Sequence, residues 1–263
     1  MHPEVERVIA RLEEQERLKG LDPFGFRPSL LPAALPTLRA LYRHWFRVEA
    51  TGIEHVPDGR VLLVANHSGQ LPLDGMMLGS ALLFDRDPPR IARGMVEKWV
   101  PTLPFISVLF SSLGQVVGTP ENARTLLRLG EALMVFPEGV RGISKTFDKR
   151  YQLQKFGHGF MRLALETQTP IVPVSIVGAE EQIISVYDAR RLARLLGVPA
   201  APLIVSGPLP LPVKYRIEFG APIRPVGDHE DDDRVIGARV AEVREAIEAG
   251  IARGLDRRRG WFW

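Results

Sequence analysis

Short aliphatic runs recur along this chain at Val61–Ala65 (VLLVA), Ile91–Val96, Gly114–Val117, Leu133–Phe136, Ile171–Val177 and Val213–Phe219. Each has the length and β-branched content of a buried strand. Helical spacing fills the gaps at 75–83, 121–129 and 157–166, and a longer helical pattern runs through Val235, Ala246 and Ile251. Strands that alternate with helices in this way predict an α/β fold, a single domain with a mixed, largely parallel sheet flanked by helices. Ahead of it, Val5, Val8, Ile9 and Leu12, then Leu38, Leu41, Tyr42 and Trp45, fall at i, i+3, i+4, i+7 and predict N-terminal amphipathic helices. The expected organisation is an N-terminal helical extension over 1–47, the α/β domain over 48–225, and a C-terminal helix with a basic and aromatic tail over 226–263.

Composition narrows the chemistry. Hydrophobic residues at 45% and charged residues at 25% are the balance of a folded globular chain. The absence of cysteine excludes disulfides, a cysteine nucleophile and thiolate metal sites. The first twenty residues alternate acids and bases without an apolar core, so no secretory signal is expected there. Trp99–Pro120 carries no charge, but Pro101, Pro104 and Gly114 interrupt it, which predicts a buried helix and strand rather than a membrane span. In the second N-terminal helix, Arg39, Arg43, His44 and Arg47 lie between the apolar positions. Its apolar face can dock on the domain or lie in a membrane interface, and the sequence favours neither.

Two strand ends carry chemistry. VLLVANHSGQLPLDG stops a strand at Asn66, places His67 directly after it and Asp74 seven positions on. An imidazole oriented by a carboxylate can take a proton from a hydroxyl. A straight helix would separate the two by about 10.5 Å. Gly69 permits a turn and Pro72 suits a first helical position, so Asp74 can fold back on His67. ALMVFPEGVRG likewise ends a strand at a Pro–Glu–Gly turn and puts Glu138 and Arg141 on the same rim, where Arg141 can hold a phosphate or carbonyl oxygen. TPIVPVSIVG, with Pro173, reads as a buried structural strand.

In this order the blocks resemble the glycerolipid acyltransferase superfamily, of which lysophosphatidic acid acyltransferase is the best-known type. The likeness runs from about Val48 to Pro225. It implies that His67 is the base, that Asp74 orients it, and that Glu138, Gly139 and Arg141 serve the acceptor; Lys98 stands where many relatives place a lysine near substrate. Two features depart from the family pattern. Six residues, Ser68 to Leu73, separate His67 from Asp74 where four are usual, and the second block reads GQVVGTPENA, with Val117, Gly118 and Thr119 where phosphate-handling members carry an arginine.

The resemblance implies transfer of a fatty acyl group from acyl-CoA or acyl-carrier protein, as co-substrate, to a glycerolipid hydroxyl by direct attack. No cofactor, no metal and no nucleic acid are expected. Lysophosphatidic acid is the expected acceptor; a neutral mono- or diacylglycerol or another lysolipid is the alternative. A thioesterase, in which the same base activates water, and a non-catalytic lipid-binding protein are the competing readings. The chain is expected at the cytoplasmic face of a membrane as a peripheral protein, with the uncharged stretch forming a wall of the acyl pocket and the tail Arg257–Trp263 facing anionic lipid. Backbone amides at Ser68 and Gly69 are candidates for the oxyanion, and Lys145, Lys149, Arg150 and Lys155 for steering an anionic donor.

Overall fold

The computed structural model describes residues 1–19, 22–67, 73–96, 110–143, 145–188, 202–207 and 209–262. Its centre is a sheet of order β1-β9-β6-β2-β5-β3-β4. In chain order the strands are β1 (Glu49–Thr51), β2 (Val61–Ala65), β3 (Ala92–Val96), β4 (Val116–Val117), β5 (Ala132–Val135), β6 (Ile171–Val177) and β9 (Arg216–Phe219). β2 is parallel to both β5 and β6, and β3 is parallel to β5 and β4. Among the described strands of this sheet, only the β6–β9 pairing is antiparallel. A separate two-stranded antiparallel ribbon joins β7 (Ser185–Asp188) to β8 (Pro202–Ile204).

The helices are α1 (Pro3–Lys19), α2 (Leu31–Ala40), α3 (Leu73–Phe84), α4 (Pro120–Arg128), α5 (Val140–Ile143), α6 (Gly159–Thr167) and α7 (Asp233–Arg257). Alternation along β2 explains how they divide. Val61, Leu63 and Ala65 face a core shared with α1, α2 and α3, whereas Leu62 and Val64 face a second core shared with α4, α6 and α7. A strand buried on both faces needs apolar side chains throughout, which is why VLLVA has no polar position. β2 and β6 match the predicted runs residue for residue. The run expected over 213–219 is a strand only from Arg216, and β1, β7 and β8 have no counterpart among the predicted strands.

The N-terminal helices dock. Val5, Val8 and Leu12 of α1 are buried, as are Leu31 and Leu35 of α2. A π turn over Leu41–Trp45 extends α2 and buries Tyr42, while Trp45 stays exposed. The arginines between the apolar positions are paired within the protein: Arg39 and Arg43 each reach Glu4 of α1 at 2.6 Å, and Arg43 reaches Asp85 at 2.6 Å. The C-terminal tail also packs on the domain. Arg257 bridges to Glu218 and Arg258 holds Glu181 through both carboxylate oxygens at 2.7 Å. Trp261 lies edge-on to Phe147, and its carbonyl accepts from the Lys214 amide. Among the described residues no helix is long and apolar enough to cross a membrane, and residues 99–109, the first half of the uncharged stretch, lie outside them.

At the end of β2, Asn66 replaces a rung of the ladder with its side chain. Its Nδ2 donates to the Ile176 carbonyl at 3.0 Å and its Oδ1 accepts from the Ile176 amide at 2.7 Å. The pair is fully buried, so Asn66→Ala would leave two backbone groups of β6 without partners, each costing about 1–3 kcal/mol. Urea unfolding should show Asn66→Ala to be destabilised by about 2–4 kcal/mol; a midpoint equal to wild type would mean that the ladder does not need this rung.

Candidate active site

Parallel strands send their C-terminal ends to one edge of the sheet, and the chemistry-bearing residues collect there. His67 follows β2, Glu138 follows β5, and Gly178–Glu180 follow β6. Asp74 comes to them from the first turn of α3, where the helix dipole favours a negative charge.

His67 Nδ1 lies 2.7 Å from Asp74 Oδ2. Asp74 has no exposed surface, and its other oxygen accepts from the Gly75 amide at 2.7 Å. With Nδ1–H donated to the carboxylate, Nε2 is left as a proton acceptor. Burial by itself would lower the imidazole pKa, yet the charge and hydrogen bond of Asp74, with the charge of Glu138, raise it above its usual value against an opposing contribution from Lys145. The six-residue interval therefore does not prevent the two residues from meeting. The loop that spans it, 68–72, lies outside the described residues, together with Gly69, Pro72 and the Ser68 and Gly69 amides.

The imidazole is packed as well as bonded. Phe136 stacks on it with ring centroids 4.4 Å apart and planes inclined by 29°. On the backbone side, a Cβ at Gly142 would come within 2.8 Å of His67 Cβ and 3.1 Å of its carbonyl oxygen. Gly142 thus lets α5 lie directly against His67, and Gly139, at φ +56°, makes the turn that starts this helix. Arg141 sits exposed on the same short helix.

Glu138 is only 4% exposed, and its carboxylate points into the protein. Oε1 accepts from the His67 amide at 2.9 Å and Oε2 from the Gln154 amide at 2.7 Å. It joins the β2 and β5 ends to the 152–154 segment, so its described bonds are to this chain's own backbone. Lys145, expected among solvent-facing cations, is instead 9% exposed; its Nζ is 3.0 Å from Glu180 Oε1 and 3.6 Å from Glu138 Oε2. Lys149 and Lys155 are exposed, and Arg150 lies over the Phe147 ring. Lys98 lies outside the described residues. Val117, Gly118 and Thr119 end β4 and begin α4, where Thr119 caps the helix by accepting from the Asn122 amide. Among the described residues no cation is added there. The sequence reading missed Phe136, Gly142, Gln154 and Glu180; Gly142 was the most legible, as a small residue one position after Arg141.

The sequence model of the Acyltransferase family matches residues 47–177, from just before β1 to the end of β6. An uncharacterized protein of Mycobacterium tuberculosis is 40% identical over 265 residues, covering 95% of this chain and 74% of that one. A human protein described as a DGAT1/2-independent enzyme synthesizing storage lipids is 28% identical over 213 residues, 79% of this chain and 61% of that one. The crystal structure of the 1-acyl-sn-glycerophosphate (LPA) acyltransferase PlsC from Thermotoga maritima superposes with a TM-score of 0.56 at 20% identity, over 87% of this chain and 82% of that one. That last likeness is one of fold, and it reproduces the mostly parallel sheet with its flanking helices. The chain belongs to the Acyltransferase family, within the glycerolipid acyltransferase superfamily, and is an acyltransferase.

Proposed function

We propose that this acyltransferase moves a fatty acyl group from acyl-CoA or acyl-carrier protein to a hydroxyl of a glycerolipid, with His67 as general base and Asp74 as its orienting partner. The observation that carries the reading is the 2.7 Å contact between His67 Nδ1 and a fully buried Asp74, which leaves Nε2 to accept the proton. The acceptor oxygen attacks the thioester carbonyl as its proton passes to Nε2. The tetrahedral adduct then collapses, breaking the C–S bond, and the departing thiolate takes the proton back. Neither an acyl-enzyme nor a metal is required by this sequence of steps.

Lysophosphatidic acid remains the first choice of acceptor, because Arg141 stands on the helix packed against His67 and an arginine can hold phosphate through paired hydrogen bonds. A neutral acylglycerol is the second reading. It is favoured by the missing cation at the end of β4 and by the human relative named for storage-lipid synthesis. We further propose that the protein works at the cytoplasmic face of a membrane as a peripheral enzyme. Exposed Val186, Leu203, Ile204, Val205 and Leu209 on and beside the β7–β8 ribbon support this. Trp45 joins them through its indole bond to the Pro210 carbonyl, and exposed Phe262 lies close by, its carbonyl accepting from Arg47.

His67→Ala should abolish acyl transfer in a protein whose circular dichroism is unchanged, and Asp74→Asn should lower kcat by about three orders of magnitude. Wild-type turnover by folded His67→Ala would remove the proposed base. The raised imidazole pKa fixes a sign: only the neutral ring is a base, so kcat/KM should fall on the acid side with a midpoint above that of an ordinary histidine. Because Asp74 is the chief group raising that pKa, the residual activity of Asp74→Asn should fall off at lower pH than wild type.

Acceptor choice and docking have separate tests. Arg141→Ala should raise KM for lysophosphatidic acid by about tenfold and leave that for monoacylglycerol almost unchanged. A wild-type enzyme that acylates mono- or diacylglycerol but ignores lysophosphatidic acid would leave the second reading standing. For docking, Leu203→Asp with Val205→Asp should weaken co-sedimentation with phosphatidylglycerol-containing vesicles by about tenfold; unchanged binding would remove the ribbon from the membrane surface.

A further inference from the structure

Three buried charges stand behind the imidazole and are not used by the reaction as described. Glu138 and Glu180 are 4% and 7% exposed, and Lys145 lies between them. Lys145 Nζ donates to Glu180 Oε1 at 3.0 Å, approaches Glu138 Oε2 at 3.6 Å and comes within 3.5 Å of the Gln152 carbonyl. Its own carbonyl accepts from Ser185 Oγ at the start of β7. One side chain and its backbone thus meet the turn after β5, the 152–154 segment, the turn after β6 and the base of the ribbon. We propose that Lys145 is a positioning residue for the base: its ammonium group is the counter-charge that keeps the Glu138 carboxylate on the His67 amide, and so holds the imidazole between Asp74 and Phe136.

The physical case is one of charge balance in a dry place. Two carboxylates and one ammonium share the cluster, and taking a lone lysine into the interior merely to add stability gains little, since desolvation offsets the attraction. A buried cation is retained with most effect where it fixes the place of something else. Here Glu138 bonds directly to the backbone of the residue whose ring accepts the proton. Among the described residues, the groups facing His67 are Asp74 from α3, Glu138 from the turn after β5, and Lys145, with the neutral Phe136 ring stacked on it. Asp74 and Glu138 favour the imidazolium, and Lys145 opposes it. Burial pushes Glu180 up to about 7 in spite of its bond to Lys145, so the ammonium is shared between the two acids only as that carboxyl ionises near neutrality. Lys145 therefore sets both where the ring stands and how readily it loses its proton.

The proposal rests on His67 being the base, so the test separates the two. Imidazole titration by NMR of histidine-labelled full-length protein, with the His67 signal assigned by its loss in His67→Asn, needs no substrate. In Lys145→Met the His67 midpoint should rise by about half a pKa unit or more, because a cation has been removed. Lys145→Arg should keep the wild-type midpoint. If Lys145→Met fails to fold, Lys145→Met with Glu180→Gln removes the opposing charge as well and should fold, yet still show the raised midpoint, since Glu138 again lacks its cation. In acyl transfer to the acceptor that wild type uses, kcat should fall about tenfold or more in the methionine variants with acceptor KM little changed, and arginine should restore it. A His67 midpoint unmoved in a folded methionine variant, or the same shift in Lys145→Arg, would overturn the proposal. A raised midpoint with no matching shift in the pH profile would uphold Lys145 and count against His67 as the base.

Discussion

The Glu138 carboxylate is the tie on which the site depends. One oxygen takes the amide of His67 and the other the amide of Gln154, so a single side chain fastens the end of β2 to the end of β5 and to the 152–154 segment. Both amides point into the interior, where a backbone N–H without a partner is costly. A carboxylate is well suited to satisfying two of them at once, because its four lone-pair directions accept without needing a proton of their own. The Pro–Glu–Gly turn then reads as a device for aiming that group inward: Pro137 and left-handed Gly139 bend the chain on either side of it.

Around this tie the packing is as directive as the hydrogen bonding. Asp74 holds one edge of the imidazole, Phe136 covers a face, and Gly142 brings α5 against the backbone. Each contact comes from a different element, and each removes a rotation that the ring would have if only one partner held it. In the proposed role of base, an imidazole held in this way does not have to reorganise as the proton arrives, which is the main advantage a preorganised site has over water.

Much of this was legible from residues alone, and the limits are physical. β2 and β6 are buried on both faces, so their sequences are apolar without interruption and their bounds can be read directly. β1 is three residues, Glu49–Thr51, at an edge, with no apolar pattern to declare it. The pairing of His67 with Asp74 followed from strand, glycine and proline signals. By contrast, the loop after α5 has four cations, Lys145, Lys149, Arg150 and Lys155, in a stretch without periodicity, and nothing local tells Lys145, which is buried, from Lys149 and Lys155, which are exposed. Only the arrival of Glu180 from a distant strand end decides between them. The same holds for the tail: three arginines and two tryptophans suggest a lipid surface, but the partners of Arg257 and Arg258 are Glu218 and Glu181, far away in sequence.

The order of strands has a bearing on how the molecule is made. Leu62 of β2 pairs with Leu133 on one side and Ile171 on the other, and Glu49 of β1 waits for Arg216. A nascent chain leaving the ribosome therefore carries VLLVA unpaired until Leu133 and then Ile171 have emerged. Long-range parallel pairing of this kind is slow, and the exposed run is a ready site for association with other chains. Only α1, α2 and α3, which share the first core with β2, are available early to shield one face of it. Abundance in a cell should then depend on chaperone supply and translation speed as much as on the stability of the finished fold.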